Sequence, residues 1–179
     1  MRLKKTVVLV GMMGAGKTAV GTALARLLNV EVLDSDEEIT RAADRSIAEI
    51  FQRDGEAFFR DREYEVIGRL LRSAPAVLST GGGAFLAERN RDQIREFGVS
   101  VWLRADLDLL WSRVRHKNTR PLLRTANPRQ TLTELYHARQ PFYELADLVV
   151  DSTPEYSVEE MAERVAQALR SRSDVMEEA

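Results

Sequence analysis

Gly11-Met12-Met13-Gly14-Ala15-Gly16-Lys17-Thr18 follows directly on the apolar run Thr6-Val7-Val8-Leu9-Val10. The octet matches G-x-x-x-x-G-K-[ST] and stands between a strand-like run and a helical pattern, as a phosphate-binding loop requires. Glycines let the backbone turn tightly and aim successive N–H groups inward, forming a nest for phosphate oxygens. The following helix adds unpaired N–H groups and the positive end of its dipole. Gly14, Ala15 and Gly16 supply the backbone, Lys17 reaches the β- and γ-phosphates, and the Thr18 hydroxyl is placed to ligate Mg2+. The alternative is a glycine-rich turn that merely ends a strand. Four matched positions at a strand-to-helix junction seldom coincide by chance, so the chain is read as binding a nucleotide.

Outward from the loop, strand and helix patterns alternate. Short apolar runs at 6–10, 30–34, 76–79, 99–103 and 148–151 lack clean alternation, as strands buried on both faces of a parallel sheet do. Helical patterns cover 17–28, 36–43, 47–72, 89–97, 106–115, 132–145 and 158–170. This order predicts an α/β domain with three layers and a doubly wound, five-stranded parallel sheet. Its ligand should sit at the carboxyl ends of the strands, where the phosphate loop already lies. Pro141 falls inside a helical pattern and should kink it or break a backbone bond. Residues 116–129 lack periodicity and hold two prolines, so they read as a long loop with a functional role or disorder. Residues 1–170 are expected to form one domain, and the polar stretch 171–179 to fray.

Composition narrows the classes. The 179 residues contain no cysteine, which removes disulfides and thiolate metal sites. A cytoplasmic, reducing compartment fits this. The basic start Met1-Arg2-Leu3-Lys4-Lys5 leads into an apolar run too short for a signal peptide, and no stretch approaches the roughly 18 apolar residues of a membrane span. A net charge of −2 argues against a protein built for nucleic acid. Its distribution is uneven: no acidic residue occurs between Leu109 and Thr133, while Arg113, Arg115, Lys117, Arg120, Arg124 and Arg129 cluster there. Such a local positive field suits an anion.

Four further constellations carry chemistry. Asp34 and Asp36 end the second strand, and in an extended segment two carboxylates one residue apart project to the same side. One could order the waters of Mg2+ and the other accept a hydroxyl proton; equally, both could cap the next helix. In Phe51-Gln52-Arg53-Asp54-Gly55-Glu56-Ala57-Phe58-Phe59-Arg60-Asp61-Arg62-Glu63, Arg60 stands one turn after Glu56, the spacing of a surface ion pair. Gly81-Gly82-Gly83 after the third strand is costly to order. Either a substrate lies against bare backbone there, or the run is a flexible connector. Arg139 lies within Tyr136-His137-Ala138-Arg139-Gln140-Pro141-Phe142-Tyr143.

In register, these features resemble the shikimate kinase family: the phosphate loop, D-x-D, F-x-x-x-G-E-x-x-F-R-x-x-E, G-G-G, Arg120-Pro121-Leu122-Leu123, and Arg139 followed by Ala146-Asp147. The resemblance spans about residues 5 to 170. It implies a P-loop kinase fold with a substrate-binding region over about 34–62 and a mobile lid over about 115–130. It further implies transfer of the ATP γ-phosphoryl group to the 3-hydroxyl of shikimate, with Mg2+. On that resemblance Asp36 binds and orients the acceptor hydroxyls, and Arg60 and Arg139 grip the carboxylate over Gly81, Gly82 and Gly83. Asp34 holds Mg2+ through water, Arg120 swings in on the lid, and Arg113 lies near the adenine. Ala19 stands where the family often has Ser or Thr, while Thr18 keeps the metal-ligand hydroxyl. The implied protein is a cytoplasmic monomer acting on small molecules, without nucleic acid or membrane partners. The rivals are another small-acceptor kinase, such as a gluconate kinase, and a nucleotide-dependent switch. The guanine-reading N-K-x-D is absent.

Overall fold

The computed structural model describes residues 1–116 and 123–178. Five strands form one parallel sheet: β2 (Thr6–Val10), β3 (Val32–Asp34), β4 (Val77–Ser79), β5 (Gly98–Arg104) and β6 (Leu148–Asp151), in the order β3-β4-β2-β5-β6. The helices are α1 (Lys17–Leu28), α2 (Ser35–Ala43), α3 (Ile47–Leu71), α4 (Glu88–Phe97), α5 (Leu107–Val114), α6 (Pro128–Tyr143) and α7 (Val158–Leu169). Chain direction across the sheet reverses after β3. Right-handed crossovers therefore put α1 on one face, and α3 and α4 on the other. Packing agrees: α7 returns against α1, while α4 lies on β5 and α3. The α/β architecture expected from the alternating pattern is thus present.

The central strands β2, β4 and β5 carry the core, with Val7, Val8, Leu9, Val77, Leu78, Val99 and Val101 buried. Burial on both faces was expected of all five strands, and the two edges depart from it. Val32 on β3 and Val149 on β6 are exposed, because an edge strand lacks a neighbour on one side. β3 also starts two residues later than the apolar run suggests. Asn29 adopts φ 54° to end α1, and the Val30 N–H bonds back to Ala25 O, so Val30 belongs to the helix terminus.

Three other boundaries have local causes. The long helix α3 is really two, joined at Gly55 with φ 85° and ψ 171°, where no atom lies within 4 Å of an added Cβ. Backbone conformation alone requires glycine there. α6 begins four residues earlier than its apolar pattern, since Asn127 caps it and Pro128 takes the first-turn position that proline favours. Pro141 lies in the last turn, where its missing N–H removes one bond just before the helix ends at Tyr143. The stretch beyond Arg170, expected to fray, is tied down. β7 (Met176–Glu177) pairs antiparallel with β1 (Arg2–Leu3), and Val175 and Met176 are buried. Among the described residues, no helix is long and apolar enough to cross a membrane.

Candidate active site

The phosphate loop joins β2 to α1, with Gly14 at φ 83° and Gly16 at φ 92°. Gly16 is the N-cap of α1; no side chain caps this helix, and its first turn holds no acidic residue. Its N–H groups and dipole are left to an anion. Lys17 Nζ bends over the loop and donates to Gly11 O at 2.5 Å and to Met12 O at 3.1 Å. Thr18 and Ala19 follow on the exposed first turn. Arg113, at the end of α5, braces the loop from the other side. Its guanidinium donates to Gly14 O at 3.0 Å and to the Ser152 hydroxyl at 3.5 Å, so it spans the phosphate loop and the loop after β6.

Sheet register carries the site across the strand ends, since Leu9 pairs with Ser79 and Ser79 with Asp34. The two carboxylates do not project to the same side of one extended strand, the arrangement expected of them, because the strand ends between them. Asp34 ends β3 and caps α2, its Oδ1 accepting from the N–H groups of Asp36 at 2.9 Å and Glu37 at 3.1 Å. Asp36 already lies in α2. The capping reading holds for Asp34, and the turn it caps aims Asp36 at Gly81. Burial raises the Asp36 pKa above the ordinary carboxylate range, and Asp34 adds to the rise. Arg60 and Lys17 oppose it. Charges from the phosphate loop, β3 and α3 thus converge on one carboxyl group.

The three glycines explain the gathering. None of them has a positive φ, so their backbone would accept other residues. What excludes a side chain is space. A Cβ on Gly81 would lie 2.9 Å from both Asp36 carboxylate oxygens. One on Gly82 would lie 2.5 Å from Arg139 Nη1, and one on Gly83 2.5 Å from Arg60 Nη2. Each glycine therefore admits one of the three charged side chains picked out in the sequence. Asp36, Arg60 and Arg139, from α2, α3 and α6, meet on one strip of bare backbone. Arg139 Nη1 is buried and has no hydrogen-bond partner among the described residues. That orphaned donor suits an anionic acceptor, such as a carboxylate.

Arg60 differs from the surface ion pair its spacing suggested. Glu56 is 3.8 Å away and exposed, whereas Glu63 accepts from Arg60 Nη1 at 2.9 and 3.2 Å and is 1% exposed. Burial pushes the Glu63 pKa up, and Arg60 pulls it back. Glu63 stands in the quoted motif, but its spacing to Arg60 was the signal left unused. Two further residues went unnoticed. Tyr143 donates to Gly82 O at 2.8 Å, and Asn90 donates to Ala84 O at 3.0 Å and Glu63 Oε1 at 3.4 Å. Tyr143 lies one turn after Arg139, a hint visible in hindsight; nothing local marks Asn90. Arg120 lies outside the described residues.

The shikimate kinase family model matches residues 13–170. A curated shikimate kinase of Cereibacter sphaeroides is 70% identical over 176 residues, 98% of this chain and 88% of that protein. The chain belongs to the shikimate kinase family. A second shikimate kinase, from Ruegeria pomeroyi, is 69% identical over 98% of this chain and 90% of its own length. The solved shikimate kinase of Acinetobacter baumannii in complex with shikimate is 39% identical, covers 93% of each chain and superposes with a TM-score of 0.85. As in other shikimate kinases, the activity is that of an ATP-dependent transferase, and the five-stranded parallel sheet is the family's fold.

Proposed function

We propose that this protein transfers the γ-phosphoryl group of ATP to the 3-hydroxyl of shikimate, giving shikimate 3-phosphate and ADP, with Asp36, Arg60 and Arg139 binding the acceptor. The convergence of these side chains on Gly81, Gly82 and Gly83, beside the phosphate loop, carries the reading. Phosphoryl transfer asks mainly for positioning and charge stabilisation. Arg60 and Arg139 hold the carboxylate end of the ring, and the glycine backbone lies flat beneath it. Asp36 orients the attacking hydroxyl and accepts its proton. Holding donor and acceptor together makes the attack effectively unimolecular.

On the nucleotide side, Gly14, Ala15, Gly16, Lys17, Thr18 and Ala19 surround the phosphates. Arg113 faces the adenine from between the phosphate loop and Ser152, and Arg120 meets the phosphates from the lid. The Thr18 hydroxyl and the Asp34 carboxylate, through water, are hard oxygen donors. Such a sparse set fits Mg2+, which keeps several waters and shares its sphere with substrate phosphates. When bound, Mg2+ neutralises phosphate charge. On this reading the protein is a cytoplasmic monomer working on two small molecules.

The test is ADP release with Mg-ATP, comparing shikimate, gluconate and AMP at equal concentration. Stimulation by shikimate alone is the expected result. Stimulation by gluconate or AMP instead would remove the roles given to Asp36, Arg60 and Arg139 while leaving the phosphate loop standing. No stimulation by any acceptor would favour a nucleotide-dependent switch.

A further inference from the structure

Three consecutive glycines lose more conformational freedom on ordering than any other tripeptide, so a strip that must meet a ligand needs support from elsewhere. Two buried side chains supply it. The Tyr143 hydroxyl donates to Gly82 O at 2.8 Å, its ring buried against Trp102 with centroids 5.9 Å apart. The Asn90 amide donates to Ala84 O at 3.0 Å, just past the glycines, where Ala84–Leu86 make a single 3-10 turn. Each of these residues is 1% exposed.

Each also reaches one of the arginines. Tyr143 sits one helical turn beyond Arg139 on α6, close enough for the guanidinium to oppose the rise that burial gives its phenol pKa. Asn90 turns its other amide hydrogen to Glu63 Oε1, and Glu63 holds Arg60. Gln93 completes the Asn90 side chain by donating to its Oδ1 at 3.2 Å. The residues lining the space beside Tyr143 are mostly apolar (Met12, Trp102, Leu103, Leu110), and a phenylalanine would pack there equally well. The hydroxyl thus joins the strip, through Gly82 O, to the Arg139 guanidinium, with which it also shares a hydrogen bond.

We propose that Tyr143 and Asn90 are positioning residues for the acceptor: they pin the glycine strip at Gly82 and Ala84, keeping it in register with Arg139 and Arg60. The inference rests on the acceptor reading proposed above. Neither residue touches substrate in this scheme. Without either bond the strip samples other positions, and acceptor binding must then supply its ordering.

The test is Tyr143→Phe, which removes one oxygen and keeps the ring, with Asn90→Ala as the second variant. Steady-state kinetics with each substrate varied and thermal melting with each substrate alone give the readout. In Tyr143→Phe the KM for shikimate should rise about tenfold, the scale of one lost hydrogen bond. KM for ATP should stay within twofold, and the melting shift induced by shikimate should shrink while that induced by ATP persists. Asn90→Ala should move the same substrate in the same direction. A shikimate KM unchanged in Tyr143→Phe overturns the proposal, as does a parallel rise in both KM values, which a merely structural role would give. Wild-type enzyme that shikimate fails to stimulate would remove the acceptor reading and this inference with it. A stimulated wild type with an unmoved variant would remove this inference alone.

Discussion

Gly82→Ala offers a sharp perturbation because its effect on the fold and its effect on the site should run in opposite directions. Gly82 has no positive φ, so alanine introduces no backbone strain and narrows the unfolded ensemble, worth about 0.4–1 kcal/mol of stability. The added methyl would stand 2.5 Å from Arg139 Nη1, where ordinary contact begins near 3.4 Å, so the guanidinium must retreat by about 0.9 Å. That nitrogen is buried and has no hydrogen-bond partner among the described residues, so the free enzyme loses no bond at Nη1. The bound acceptor suffers more: a hydrogen bond of about 2.9 Å lengthened by that amount is no longer one. Losing a hydrogen bond to a charged group costs about 2 kcal/mol, or roughly 30-fold in affinity. The expectation is a shikimate KM raised roughly 30-fold, an unchanged ATP KM and a melting temperature that holds or rises. Adding Gly82→Ala to Arg139→Ala should then cost nothing further, as a double-mutant cycle would reveal. A shikimate KM within threefold of wild type, or full additivity with Arg139→Ala, would refute the assignment of Gly82 to Arg139.

Other outcomes follow from the same geometry. Arg139→Ala should weaken shikimate binding by about 2–5 kcal/mol in calorimetry, with little change in melting temperature. Arg60→Ala should lower the melting temperature as well, because it strands the buried Glu63; adding Glu63→Gln should restore stability without restoring affinity. Asp36→Asn should reduce kcat by about 100-fold or more while calorimetry finds ATP binding intact; lost ATP affinity would mean that Asp34 and Asp36 have exchanged roles. Asp174 accepts from Arg172 and Lys5, which hold its pKa below the ordinary 3.8. Because the folded value is depressed, its stabilisation is present above that pH and fades as pH falls. The melting-temperature gap between wild type and Asp174→Asn should therefore close in acid, and a gap that widened there would reverse the sign argued.

Much of this was legible in the sequence for a physical reason. The phosphate loop is a local object: eight contiguous residues dictate backbone, charge and hydroxyl together. The sheet could be read because buried parallel strands need unbroken apolar runs, and the runs at 6–10 and 148–151 match β2 and β6 residue for residue. Legibility declined where a residue's partner is distant in the chain. Tyr143 meets Gly82 across 61 residues and Asn90 meets Glu63 across 27, and no spacing rule predicts either contact. Asp34 stayed open between two readings for a subtler reason: strand geometry and helix capping both place carboxylates at a β–α junction, and only the backbone path shows the cap. The tail misled because a polar composition hides two buried residues, Val175 and Met176, and the short strand pairing beside them.

The two arginines are not equivalent parts of one clamp. Arg60 arrives already neutralised by Glu63, which is buried and held in turn by Asn90, so its guanidinium is fixed in place and its charge is partly spent. Arg139 keeps Nη1 unpaired over Gly82. An arrangement with both arginines unpaired would repel itself and hold its donors loosely; with both neutralised it would attract an anion weakly. A guanidinium held by a carboxylate can set the ring's orientation, while one with an unpaired Nη1 and no carboxylate partner among the described residues supplies the attraction. Asp36 fits the same logic, since burial and Asp34 raise its proton affinity while Arg60 and Lys17 restrain it. A carboxyl group balanced in this way is a better acceptor for a hydroxyl proton than a solvated aspartate. The glycines make that balance possible, because only bare backbone lets three charged groups from three helices approach one strip so closely.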